Sequence, residues 1–186
     1  MKASNMSNED RSQEVIAFWF DETPPEKRFA KDPVLDQTIT TRFRSVYDNI
    51  VIRPATQFED PSACFAAILV LDQFARNMFR GDRRSWEADP LALTLAQKMI
   101  DTGWIDDLPD EQRNFVLLPF MHSEDLAVHD RAAPYFERYA DGPTRNAEQN
   151  HRTIIEQFGR YPHRNAVLGR NSTDAERAFL QDNPGF

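Results

Sequence analysis

The dipeptide Asp-Pro occurs at Asp32-Pro33, Asp60-Pro61 and Asp89-Pro90, each time ahead of a stretch whose apolar residues recur at helical spacing. An Asp side chain accepts hydrogen bonds from the free amides of a first helical turn. A Pro at the first helical position has no N–H to satisfy and a preset φ. Thr173 with Glu176 forms a capping box, and Pro143 opens a further helix. These marks predict helices over about 8–20, 33–52, 61–80, 90–102, 110–121, 123–140, 143–158 and 174–182. No window alternates with period two between Asn-Gly or Asp-Gly turns, so no sheet is expected. The expectation is a single all-α domain over 1–186 with about eight helices, its ends at 1–7 and 183–186 flexible. No linker, low-complexity segment or internal repeat interrupts it.

Composition supports a packed domain. A chain of 186 residues, 14 of them Phe, can bury roughly 70% of its unfolded surface. Its net charge of −8 argues against general binding of nucleic acid or anionic membranes. The longest apolar runs, 66–71 and 115–120, are too short to span a bilayer. With Cys64 as the sole cysteine and no apolar leader at the start, a cytoplasmic location is expected.

The predicted helix 61–80 changes character along its length. ACFAAILVL is apolar all round and should be buried on every side. Farther on, Asp72, Gln73, Arg76, Asn77 and Arg80 fall within an arc of about 140°, counted at about 100° per residue. A central helix is thus expected to run out of the core into a polar chamber. The stripes FWF (18–20), Phe65/Leu69/Phe79 and Phe115/Leu118/Phe120 read as core. Trp86 and Trp104 follow polar loops and are expected to pack helix ends.

Four strings stand out: VIAFWF (15–20), LDQFARNMFR (71–80), LPFMHSEDL (118–126) and HRTIIEQFGRYPHRNAVLGRNST (151–173). Together with FAKD (29–32), they closely resemble an uncharacterised bacterial family, domain of unknown function 924, over roughly residues 13–182. The resemblance implies an all-helical, tetratricopeptide-like (α-α superhelix) arrangement of antiparallel helix pairs. Fold analogy then makes a protein partner conceivable, but the family brings no catalytic residues with it. One departure is His129, where the family pattern leads to a nearby Gln; no role is assigned to it here.

In HSED, Ser123 reads as an N-cap with Glu124 and Asp125 in the first turn, which puts His122 just outside the helix. In the last string, Gly159 fits a helix C-cap and Pro162 a stop. Arg160, His163, Arg164 and Arg170 then lie between Glu156 and Asp174 with no acid among them. If LDQFARNMFR, HSED and GRYPHRN converge, Arg76, Arg80, Arg160, Arg164 and Arg170 meet only Asp72, Glu124 and Asp125, five cations against three anions. An uncompensated buried charge costs several kcal/mol, a large part of a total stability of about 5–15 kcal/mol. The surplus must therefore lie open to water or be neutralised by an anionic ligand, whose carboxylate or phosphate suits the arginine fork. The expected ligand-binding set is Arg76, Asn77, Arg80, His122, Glu124, His151, Arg160, His163 and Arg164.

Other chemistries have less support. Glu148-x-x-His151 has di-iron spacing but occurs once, HExxH and Cys-based zinc spacings are absent, and nearby arginines repel a cation, so no metal is expected. No G-x-S-x-G elbow or phosphate-cradling Gly loop occurs, and no cofactor is implied. Cys64 in its apolar helix reads as packing. Three functions stay open. They are a binding module for an anionic small molecule or acidic peptide, an enzyme using His122, His151 or His163 as acid or base in the same cleft, and an interaction scaffold whose polar strings only lock helices together.

Overall fold

The computed structural model describes residues 8–183. All the regular structure among them is helical: α1 (Asn8–Ala17), α2 (Pro33–Ile50), α3 (Pro61–Ile68), α4 (Ala75–Met78), α5 (Arg84–Glu87), α6 (Asp89–Asp101), α7 (Asp110–Met121), α8 (Leu126–Tyr139), α9 (Gly142–Phe158) and α10 (Asp174–Asp182). α3 and α4 form one continuous rod through a π-helical stretch, Leu69–Phe74, closed by i→i+5 bonds. With that rod counted as one and single-turn α5 set aside, the described residues hold eight helices. The flexible ends expected at 1–7 and 183–186 fall outside the described residues, except Asn183, whose side chain donates to the Phe179 carbonyl.

The Asp-Pro starts behave as helix signals with one exception. Asp32 accepts from the amides of Val34 and Leu35, and Asp60 accepts from Ala63 at 2.7 Å. The third helix begins at Asp89 itself, with Ala88 as its N-cap, and no side chain caps it. The Asp89 carboxylate is engaged elsewhere, as described below. HSED also departs from expectation: α8 starts at Leu126, and Asp125, not Ser123, caps it by accepting from Ala127. Glu124 is pulled out of the helix by partners in the C-terminal tract. Asp141 caps α9, and the capping box of Thr173 and Glu176 is closed in both directions.

Packing follows the apolar patterns. Leu35, Ile39, Phe43, Tyr47 and Ile50 form the buried stripe of α2, while every residue from Cys64 to Leu71 is buried. The rod packs against α1, α2 and α6, and α6–α7, α7–α8 and α8–α9 pack as sequential neighbours. Phe18, Trp19, Phe43 and Phe74 meet at centroid distances of 4.9–5.8 Å, several of them edge-on, which suits the ring quadrupoles. A small second core of Ile154, Ile155 and Tyr161, flanked by Leu126, Phe158 and Phe179, ties the C-terminal tract to α9. No helix among the described residues is long and apolar enough to cross a membrane.

Candidate functional site

The polar end of the rod begins at Asp72, only 1% exposed. Its Oδ1 lies 2.7 Å from His122 Nδ1 and 3.4 Å from Arg76 Nη2, and the Gln73 amide donates to its other oxygen. Burial alone would raise the Asp72 pKa, but His122 and Arg76 outweigh it and hold the carboxyl well below its usual range. An ionised carboxylate only accepts, so His122 donates to it from Nδ1.

Arg76 extends the cluster to α6. It donates to both oxygens of Asp89, at 3.0 and 3.2 Å, and to the Ser85 carbonyl. This bidentate pair is why Asp89 does not cap its own helix. Burial disfavours the charged Arg76, yet Asp72 and Asp89 raise its pKa further.

The C-terminal tract closes over this corner. Gly159, at φ +67°, ends α9 in the left-handed conformation that favours glycine, and Pro162 starts a single 3₁₀ turn to Arg164. Tyr161 is wholly buried, its hydroxyl donating to the Met121 carbonyl and its amide to Glu124 at 2.7 Å. Arg170 clamps both oxygens of Glu124, at 2.6 and 3.0 Å. Burial pushes the Glu124 pKa up, but the Arg170 bond and the Tyr161 amide bring it below its ordinary value.

Arg164 is held differently. It is 6% exposed, with its guanidinium 5.5 Å from the Trp86 centroid and 4.7 Å from that of Tyr161. Nη2 donates to the His122 carbonyl at 3.0 Å, and Nη1 comes no nearer than 3.6 Å to Asp89, which Arg76 already occupies. Its buried Nε has no hydrogen-bond partner. Burial lowers the Arg164 pKa, with Asp89 opposing only in part. His151 and His163 complete the wall. His151 Nδ1 donates to the Ala147 carbonyl at 2.8 Å, and its ring stands 6.1 Å from His122. Burial, then His122, pushes His151 down to about 3; burial, then Arg164, pushes His163 down to about 4.

Of the expected set, Arg76, His122, Glu124, His151, His163 and Arg164 meet, joined by Arg170. Asn77 and Arg80 do not: both reach Asp36 in the first turn of α2, at 2.7–2.8 Å. Arg160 turns outward to Glu176, at 2.7 and 2.9 Å. The expected surplus of arginine is corrected accordingly. The five guanidiniums of the strings face Asp36, Asp72, Asp89, Glu124 and Glu176, three of which lie outside the strings from which the surplus was counted. Among those five arginines, Arg164 alone lacks a carboxylate oxygen within hydrogen-bond distance.

Sequence reasoning missed Asp89, which carries a helix-start signature, Trp86, which reads as packing a helix end, and Tyr161, to which it gives no role. It also passed over His129. That ring is fully buried, with Nδ1 2.7 Å from Glu148 and Nε2 3.0 Å from the Ser123 carbonyl. Burial would lower its pKa, but Glu148 raises it above the ordinary histidine value, and the pair anchors the loop carrying His122 and Glu124. One oxygen of Glu148 is thereby engaged by His129, and no group of three or more His, Cys, Asp or Glu among the described residues could hold a metal ion. Cavities of about 240 Å³ between α1, α2 and α3 and about 460 Å³ between α6 and α8 lie elsewhere.

The molecule is thus a helical domain whose central rod ends in a half-buried cluster of arginine, histidine and carboxylate. Residues 15–184 match the model of a family described as bacterial protein of unknown function (DUF924), and the chain belongs to that family. It is similar to a solved protein of unknown function from Agrobacterium tumefaciens, with 34% identity and a TM-score of 0.89 over 95% of this chain and all of that one. Among curated proteins none matches it.

Proposed function

We propose that the chain binds a small molecule carrying an oxyanion at the corner where Arg164 meets His122. The observation that carries this reading is Arg164 itself: a guanidinium 6% exposed and stacked on two rings, whose ion pair to Asp89 is 3.6 Å long and shared with Arg76. Leaving a buried charge so poorly matched costs stability unless a ligand completes it. Arg76, His122, Glu124 and Arg170 each keep 15–25% of their side chains exposed, so the corner reaches solvent.

The test is Arg164→Met, which keeps a stem between Trp86 and Tyr161 but removes the fork. Carboxylate and phosphate metabolites are screened by thermal shift. The expected result is a shift for the wild type and none for the variant, whose own stability changes by no more than about 1 kcal/mol. No shift for any compound, with a loss of about 3–5 kcal/mol in the variant, would instead make Arg164 a lock between helices.

A second reading, acid–base catalysis at the same corner, is supported by the 2.7 Å contact between Asp72 and His122 Nδ1. A buried carboxylate orienting an imidazole is the arrangement by which a histidine is made a general base. The succession of α6, α7, α8 and α9, each packed on the next, supports a tetratricopeptide-like stacking around the site.

A further inference from the structure

At the end of the rod opposite the polar corner, α1, α2 and α3 surround a cavity of about 240 Å³. The rod presents Ala63, Ala66 and Ala67 to it, whose single methyl groups leave the space between the helices unfilled. Val15 of α1, Ile50 of α2 and Phe58 of the turn between α2 and α3 complete an apolar floor, and all three are buried. Sites for drug-sized ligands enclose about 300–1,000 Å³, so the occupant of this one is smaller. The rim is charged. Arg53 stacks on the Phe58 ring at 4.3 Å and donates to the Gln57 carbonyl at 3.1 Å, which fixes its guanidinium without engaging a carboxylate. Arg11 of α1 and Glu59 of the turn line the same rim, and no ion pair among the described residues engages any of the three. Asp60, the remaining charge there, accepts from the Ala63 amide as the cap of α3.

Arg11 and Arg53 against Glu59 and Asp60 make two cations and two anions. A ligand with only a carboxylate or only an ammonium group would upset that balance. A ligand with one of each preserves it and supplies the partners that Arg53 and Glu59 lack. We propose that this cavity binds a free α-amino acid with an aliphatic side chain. The side chain fills the alanine-lined slot, the carboxylate lies on the Arg53 and Arg11 guanidiniums, and the ammonium group lies on Glu59. Exposed charges are worth little on their own in water, so the slot supplies the burial and the rim supplies the orientation. This site lies apart from Arg164 and does not depend on the oxyanion reading of the corner.

The experiment is an NMR titration of the full chain with leucine, following the methyl groups of Val15, Ile50 and Ala66 for the cavity and the Trp86 indole for the corner. Leucine should move the methyl groups and leave the indole in place. 4-Methylpentanoate lacks the ammonium group, isoamylamine lacks the carboxylate and glycine lacks the side chain; each should bind at least about tenfold more weakly. Arg53→Gln should remove the preference for leucine over isoamylamine, and Glu59→Gln the preference over 4-methylpentanoate, both with an unchanged circular dichroism spectrum. Ala63→Leu, which fills the slot from its half-buried rim, should abolish binding. Equal binding of leucine and either singly charged analogue, unaltered affinity in both rim variants, or cavity methyl groups that leucine does not move overturns the proposal. If leucine moves the Trp86 indole alone, its carboxylate sits at Arg164, and the proposal fails while the oxyanion reading stands.

Discussion

From Cys64 to Leu71 the central rod is enclosed by apolar side chains, whereas a few residues later Asp72, Arg76 and Arg80 are fixed by charged partners from α2, α6 and the loop before α8. The first half is held by contacts that are individually small, undirected and indifferent to pH. The second depends on distances of 2.7–3.4 Å and on the charge state of each partner. The apolar half determines that the helices assemble; the polar half determines which side chains meet, and it can therefore respond to a ligand or a proton.

Four perturbations test this contrast. The largest effect should come from Phe74→Ala, where three aromatic neighbours close on a fully buried ring. The expected cost is about 3–5 kcal/mol in urea unfolding, equal at acid and neutral pH. Phe74 lies past Asp72 but on the face of the rod that packs into the apolar core, and a loss below about 1 kcal/mol would remove that packing from its assigned role. Next is Glu124→Ala, which frees Arg170 and the Tyr161 amide. We expect a loss of about 2 kcal/mol and faster hydrogen exchange at Tyr161, with the exchange of α3 amides unchanged.

pH should separate the regions without mutation. Arg160 brings the Glu176 pKa from 4.5 down to about 2, and Glu124 is lowered in the same direction. A depressed folded pKa contributes stability that is present above the unfolded value and is lost as pH falls. The tract over 159–182 should therefore loosen between pH 4.5 and about 2, reported by Trp86 emission, ahead of the main unfolding seen by circular dichroism. His129 has the opposite sign. Its raised pKa favours the fold below the ordinary histidine value and is lost as pH rises, so the α8–α9 contact should weaken on the alkaline side. The smallest effect belongs to Arg80→Ala: its pair with Asp36 is 39% exposed on the arginine side and should cost about 0.5 kcal/mol, less in high salt.

The helices were largely legible because their ends are marked by local chemistry: Asp32, Asp60, Thr173 and Gly159 act within a few residues of themselves. The convergence of the rod's end with HSED and the C-terminal tract is only a supposition in the sequence; the packed helices bring them together. The charge balance was not. Asp36 and Asp89 each carry a local signature, a first-turn acid and a helix start, that hides a bond to an arginine 44 or 13 residues away. A cap and an ion-pair partner are the same side chain, and only the packed structure selects between them. Ser123 and Asp125 show a related shift on a shorter scale: Ser123 reads as the cap and Asp125 as a first-turn acid, whereas in the structure Asp125 caps α8 and Glu124 turns to Tyr161 and Arg170.

The π-helical stretch at Leu69–Phe74 amounts to one extra residue accommodated inside an otherwise regular helix. Deleting a single residue there would return it to ordinary α spacing while Pro61–Ile68 and Ala75–Met78 kept their seats against their neighbours. Asp72 lies within the bulge and would be displaced from His122. The scaffold and its polar corner are in that sense separable.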